Sequence, residues 1–245
     1  MTLRDTALHF FIKSFNVGRD SFNLGHAAHL VGCTWDSSIS PTQLMGNHQG
    51  LRHGVNGMDV WLASNSSRRH ALLLPLFPSL HHRGLEGVDE TPPSGTVEHQ
   101  VHAICQRKAS ALPPSEHSLI IVADTMLSDP DDHSLSIGKP RDLAHAATML
   151  HRLSGRFHQV WTATSVRWNG SWHHWCESAI VSIQELTTEQ LQDLLSSNSW
   201  QGKAGGYDLA GRMGTHARLV EGAESTVLGL AGEAMEFLEA LASTR

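Results

Sequence analysis

Cysteine is scarce: Cys33, Cys105 and Cys176 are the only three in 245 residues, and one must stay unpaired in any disulfide scheme. No CxxC or CxxxC spacing occurs, so the usual structural zinc site lacks its ligands and a reducing interior suits the chain. Excess positive charge is missing too. Lys and Arg number 18 against 24 Asp and Glu, a formal net charge of −6, which gives no basis for non-specific nucleic-acid binding. Any anion site must therefore be local. Uniformly apolar runs are only a few residues long, which excludes a helical membrane span. Ala7-Leu8-His9-Phe10-Phe11-Ile12 is too short and broken for a signal-peptide core, so cytoplasm is the expected location. HExxH, the P-loop pattern GxxxxGK[ST] and internal repeats are also absent.

Histidine, by contrast, is frequent, with 18 copies and neighbours such as His81-His82 and His173-His174. Adjacent strand residues point to opposite faces, so these pairs read as structural or surface groups rather than a metal cluster. Residues 1–57 contain no glutamate and show no sustained period of 2 or 3.6. They read as a poorly ordered extension with one short helix near Leu8–Phe15, or as a mis-assigned start with Met58 the natural one. The organised domain is expected over residues 58–245.

Strand-like and helix-like segments alternate from there. Asp59–Ser64 reads as a strand, and Ser66–Phe77 as a helix capped by Ser66 or Ser67 and ended or distorted by Pro75. Thr96–Leu112 carries a helical stripe of Val97, Val101, Ile104, Cys105 and Leu112. The run Ser118–Asp124 reads as a strand buried on both faces and ending at Asp124. Asp129-Pro130-Asp131-Asp132 is a turn. Pro140 opens a helix with Leu143, Ala146, Ala147, Leu150 and Leu153 inward. Asn169-Gly170 joins two strands, Phe157–Trp168 and Ser171–Gln184, as a hairpin. Thr187 and Gln190 fit a capping box, with Leu186 stapling onto Leu191. A last helix is expected from Val227 to Ala242. This pattern predicts an α/β or α+β domain with a mixed sheet.

Ser64, Ser66, Arg68 and Arg69 stand where a strand hands over to a helix. Hydroxyls, exposed backbone N–H groups and planar guanidinium forks suit an anion there, and two solvated surface arginines are the alternative. Lys108 falls mid-stripe on an apolar face, where a charge must be paired, open onto a cleft, or snorkel past the helix end. Asp124 is read either as facing a crevice at a strand's carboxyl end or as a turn residue. With Lys139 and Glu90, these make a set of cations and carboxylates suited to magnesium-dependent phosphoanhydride chemistry, if they converge.

Ala63-Ser64-Asn65-Ser66-Ser67-Arg68-Arg69 is followed in order by Val88-Asp89-Glu90, Arg107-Lys108-Ala109, Ala123-Asp124-Thr125, Gly138-Lys139-Pro140-Arg141 and Leu153-Ser154-Gly155-Arg156, then by Lys203-Ala204-Gly205-Gly206-Tyr207 and Val227-Leu228-Gly229-Leu230. The first block resembles the ASxSPRR signature, and the set resembles the motif order, of the Maf family, nucleoside triphosphate pyrophosphatases first linked to septum formation. The resemblance implies an α/β fold with an elongated mixed sheet and flanking helices in two lobes around a cleft, as in Ham1-like inosine triphosphate pyrophosphatases. It implies hydrolysis between the α and β phosphates, with Asp124 accepting a proton from water. Glu90 and Asp124 would hold Mg²⁺ or another divalent cation, and Ser64, Arg68, Arg69, Lys108 and Lys139 would bind the phosphates. Arg68, Thr125 and Ala210 match the positions that separate substrate subgroups, and the first two resemble the dTTP/UTP subgroup. Ala210 replaces a glutamine of the YGIQG motif, Ser67 replaces a proline, and Ala231 stands where a proline is usual. The implied partner is a nucleoside triphosphate, with a possible homodimer and neither nucleic acid nor membrane. The alternatives are a 7-methyl-GTP or broad specificity on the same fold, or a nucleotide-binding, septum-regulating protein without turnover.

Overall fold

A computed structural model of the protein describes residues 58–244. The expectations for residues 1–57, and for Met58 as a natural start, lie outside the described residues.

The first apolar run forms strand β1 (Val60–Leu62), buried throughout. It pairs in parallel with β2 (His81–His82) on one side and β3 (Leu119–Ser128) on the other. β3 also pairs antiparallel with β5 (Phe157–Trp168), from Leu119↔Trp168 to Leu127↔Val160, while β4 (Ser136–Ile137) joins its far end. β5 turns into β6 (Ser171–Ile183), and β7 (Ala217–Glu221) completes a mixed seven-stranded sheet. The hairpin falls where expected. Asn169 and Gly170 take φ of 49° and 79°, the consecutive positive values a tight two-residue hairpin turn demands.

One strand departs from the sequence reading in a way that matters. β3 does not stop at Asp124 but runs on to Ser128, because β5 offers it antiparallel partners all the way to Leu127. Its pairing with β1 ends at Ile121, so Asp124 sits in mid-strand, just beyond the carboxyl end of β1.

The helices are α1 (Ser67–Leu73), α2 (Val97–Ser110), α3 (Leu143–Leu153), α4 (Thr188–Ser196), α5 (Glu224–Leu228) and α6 (Gly232–Ser243). Ser66 caps α1, which stops just short of Pro75. Thr96 caps α2, whose buried face holds Val97, Val101, Ile104, Cys105 and Lys108. α3 is opened by Asp142 rather than Pro140, since the Asp142 carboxylate accepts the His145 N–H. Its Leu143 is 52% exposed instead of inward. The Thr187–Gln190 capping box forms in both directions, and Leu186 and Leu191 pack against one core.

The expected single helix from Val227 to Ala242 is two helices. Gly229, with φ of 116°, breaks it, and the restart at α6 is held by Glu177, whose carboxylate accepts the Gly232 and Glu233 N–H groups. Ala231, at the usual proline position, donates its N–H to Thr164 Oγ1 at 3.0 Å, a bond proline could not make.

Side-chain alternation along β1 and β3 divides the core. Leu62 and Ile121 pack with Leu73 and Leu238 on one face; Trp61 and Val122 pack with Val101 and Ile104 on the other. A third cluster, around Leu127, Leu150, Val160 and Ile183, fills the second lobe beyond. Each fully buried Leu, Ile or Val contributes about 1.5–3 kcal/mol, so these three clusters are what hold the cleft walls. Among the described residues, no helix is long and apolar enough to cross a membrane.

Candidate active site

The turn after β1 is built around Arg69, which the first turn of α1 directs inward until it is 8% exposed. Its Nε donates to the Gly229 carbonyl at 2.7 Å, Nη1 to Ser64 Oγ and the Ala123 carbonyl at 3.0 Å each, and Nη2 to Thr125 Oγ1 at 2.9 Å. Four of a guanidinium's five N–H groups are thus spent within the protein. Burial lowers the Arg69 pKa, while Asp124 works against that shift. Arg69 is therefore chiefly a keystone: it fixes Ser64, β3 and the α5–α6 junction relative to one another, with one N–H left for a ligand.

The same bonding decides two hydroxyls. Thr162 donates to the Thr226 carbonyl at 2.7 Å, so Thr125, 2.9 Å away, donates to Thr162 while accepting from Arg69. The Thr125 proton is committed. Ser64 Oγ accepts from the Ser66 N–H and from Arg69, so its own proton is free to reach a ligand.

Lys108 lies in the last turn of α2 with its ammonium between two carboxylates, 2.6 Å from Asp124 Oδ1 and 3.0 Å from Glu90 Oε1. Lys108 and Asp124 are both buried; the Glu90 side chain is half exposed. Of the readings open for Lys108, pairing in a cleft is the one realised. Burial acts to raise the Glu90 pKa, but the Lys108 ammonium, aided by Lys139 and Arg69, outweighs it and holds the carboxyl below its usual range.

These groups line one cavity of about 260 Å³, which Ser64, Arg68, Arg69, Glu90, Lys108, Asp124, Thr125 and Lys139 all reach. It opens between the lobes: Ala63 and Ala123 belong to the first, Ala204 to the second. Ala210 is the exception. It is exposed and does not line the cavity. Its segment is anchored through Tyr207, whose buried hydroxyl meets His158 Nε2 at 2.7 Å, and the residue that faces Arg68 electrostatically is Asp208. Arg68 is partly desolvated, which lowers its pKa, with Asp208 and Tyr207 opposing.

Sequence reasoning missed Asn65 and Gly229. Asn65 Oδ1 accepts the Gly84 N–H at 2.8 Å, tying the turn after β1 to the loop that leads to Glu90. Gly229 receives the Arg69 Nε–H; a lone glycine inside an apolar helical pattern was the available signal for it. Oxygen donors from Glu90 and Asp124 converge on one cationic atom, a donor set that suits a hard divalent cation.

Fold and site together define a mixed α/β protein with a carboxylate pair and several cations around an interlobe cleft. Residues 59–242 match the family described as Maf-like protein, and the chain belongs to that family. A dTTP/UTP pyrophosphatase of Ruegeria sp. (strain TM1040) is 32% identical over 172 residues, covering 69% of this chain and 86% of that protein. A dTTP/UTP pyrophosphatase of Pelotomaculum thermopropionicum is 34% identical over 177 residues, covering 70% and 90%. Among solved structures, the Staphylococcus aureus Ham1 protein aligns over 75% of this chain and 97% of its own, with 16% identity and a TM-score of 0.40.

Proposed function

We propose that the chain hydrolyses nucleoside triphosphates between the α and β phosphates, releasing a nucleoside monophosphate and pyrophosphate, with pyrimidine nucleotides of the dTTP/UTP type as substrates. The observation that carries this reading is Lys108 held between Glu90 and Asp124 in a cavity that Ser64, Arg68 and Lys139 also line. The two relatives named dTTP/UTP pyrophosphatase support the substrate class.

In this mechanism the triphosphate rests against Arg68, Lys139 and the third N–H of the Lys108 ammonium, while the Ser64 hydroxyl donates to a phosphate oxygen. Arg69 contributes mainly by holding Ser64 and β3 in place. Asp124 orients a water toward the α phosphorus and takes its proton on a carboxylate oxygen. The bond to the α–β bridging oxygen breaks, and pyrophosphate leaves with its charge offset by the lysines and Arg68. Glu90 and Asp124 would hold a divalent cation, Mg²⁺ in this reading, which when bound neutralises phosphate charge and polarises the reacting oxygens. Lys108 offsets the same two carboxylates in the ligand-free protein.

Pyrophosphate release from dTTP, UTP, 7-methyl-GTP and the common triphosphates, with and without Mg²⁺, tests the proposal. Wild type is expected to turn over dTTP and UTP, and Asp124→Asn to lose roughly 10²–10⁴-fold. Nucleotide binding without turnover by wild type, or full activity in Asp124→Asn, would overturn it.

A further inference from the structure

The amino ends of β1, β2 and β3 carry a second cluster of ligating side chains, at the opposite end of β1 from Ser64. Asp59 precedes β1, His81 opens the edge strand β2, and His117 lies two residues before β3. The strand order β2-β1-β3 sets Asp59 between the two histidines. Asp59 Oδ1 is 3.2 Å from His81 Nε2, and its Oδ2 is 2.7 Å from His117 Nδ1. One donor atom from each residue falls within 4.8 Å of the others. His117 Nδ1 is shielded from solvent and, despite its closeness to Asp59, makes no hydrogen bond of acceptable geometry. A cavity of about 360 Å³ adjoins the cluster, walled by Trp61, Arg83, Pro113 and Pro114.

Two imidazole nitrogens and a carboxylate oxygen are the ligands of a borderline transition metal rather than of magnesium. Zinc–nitrogen bonds of about 2.0–2.1 Å place tetrahedral ligands about 3.3 Å apart; the Asp59–His81 pair already stands at 3.2 Å, and the three donors, within 4.8 Å of one another, draw together by small side-chain rotations. We propose that Asp59, His81 and His117 form a zinc-type divalent metal site, with water from the adjoining cavity as a further ligand. Its role is a clip. β2 is two residues long, both exposed, and the chain runs from it directly through Gly84 to the loop bearing Glu90. A metal bound by His81 fastens that edge strand to β1 and to the entry of β3. No residue of the cluster lines the phosphate cavity, so the site stands independently of the proposed pyrophosphatase activity.

The full-length protein, stripped with chelator and kept free of Mg²⁺ and nucleotide, is titrated with Zn²⁺ and separately with Co²⁺. One tightly bound equivalent is expected at this site, with the visible absorption of four- or five-coordinate Co²⁺ and a zinc-dependent rise in the unfolding midpoint. His81→Gln and His117→Gln should each lose the equivalent, the spectrum and the rise, whereas Asp124→Asn should keep all three. Residues 1–57 also contain histidines and Cys33, so the variants decide where the ion sits. Zinc retained with an unchanged cobalt spectrum in both histidine variants overturns the proposal, as does a wild type that binds none. Asp59→Asn keeps side-chain shape and removes the charge. It should weaken binding, and unchanged affinity there counts against the site even if a histidine variant fails to fold.

Discussion

Arg69 Nε donates to the Gly229 carbonyl at 2.7 Å, joining the first helix after β1 to the break between the last two helices, 160 residues away in sequence. Gly229 holds φ of 116°, and a Cβ placed there would lie 2.8 Å from that same Nε. Gly229→Ala is therefore expected to cost about 1–3 kcal/mol in backbone strain and to displace Arg69. Urea denaturation should show the loss. Pyrophosphate release should fall further than instability alone explains, because Ser64 depends on Arg69 for its position.

Lys108 is the countercharge for two acids, one of them buried. Lys108→Gln leaves Glu90 and Asp124 facing each other without it, and a loss of about 3 kcal/mol is expected near neutral pH. In the mechanism proposed above, a divalent cation held by Glu90 and Asp124 would take over the compensation. Millimolar Mg²⁺ should accordingly raise the melting midpoint of Lys108→Gln more than that of wild type; equal shifts would mean that the two carboxylates do not share a cation.

His158 sets an acid limit. Burial pushes its pKa from 6.5 down to about 3, and its Nε2 is committed to the Tyr207 hydroxyl. Between those values the unfolded chain binds a proton that the folded one refuses. This stability is fully present above about pH 6.5 and falls with pH through the window, by up to about 1.4 kcal/mol per unit. Urea midpoints at pH 7 and pH 5 should differ more in wild type than in His158→Gln.

Base selection is expected to follow Arg68, which lines the cavity, rather than Ala210, which does not. Arg68→Ala should alter the ratio of kcat/KM between dTTP and dGTP. Ala210→Gln should leave that ratio within about twofold, since a contact that is not formed has no transition-state energy to contribute.

Short-range signals were the legible ones. The Asn169-Gly170 hairpin, the Thr187–Gln190 box and the apolar stripe of α2 each depend on residues a few positions apart, and each formed where the pattern placed it, except that α2 ends at Ser110 and leaves Leu112 beyond it. Lys108 was conspicuous for the same reason, being a charge on a face otherwise apolar. The extent of β3 was not legible, because it depends on β5 as a partner rather than on its own residues. Nor was the division of the last helix, which Gly229 and Glu177 decide from different elements.

From the sequence alone came the family, the mixed α/β class and the chemical kinds of side chain available for the cavity, since local periodicity, turn chemistry and motif order are properties of neighbouring residues. Tertiary structure alone decided that Arg69 spends four of its N–H groups within the protein, that Ala210 is exposed, and that Asp59 meets His81 and His117. Hydrogen-bond capacity and metal-ligating geometry are exhausted or completed only by partners that the fold brings from far along the chain.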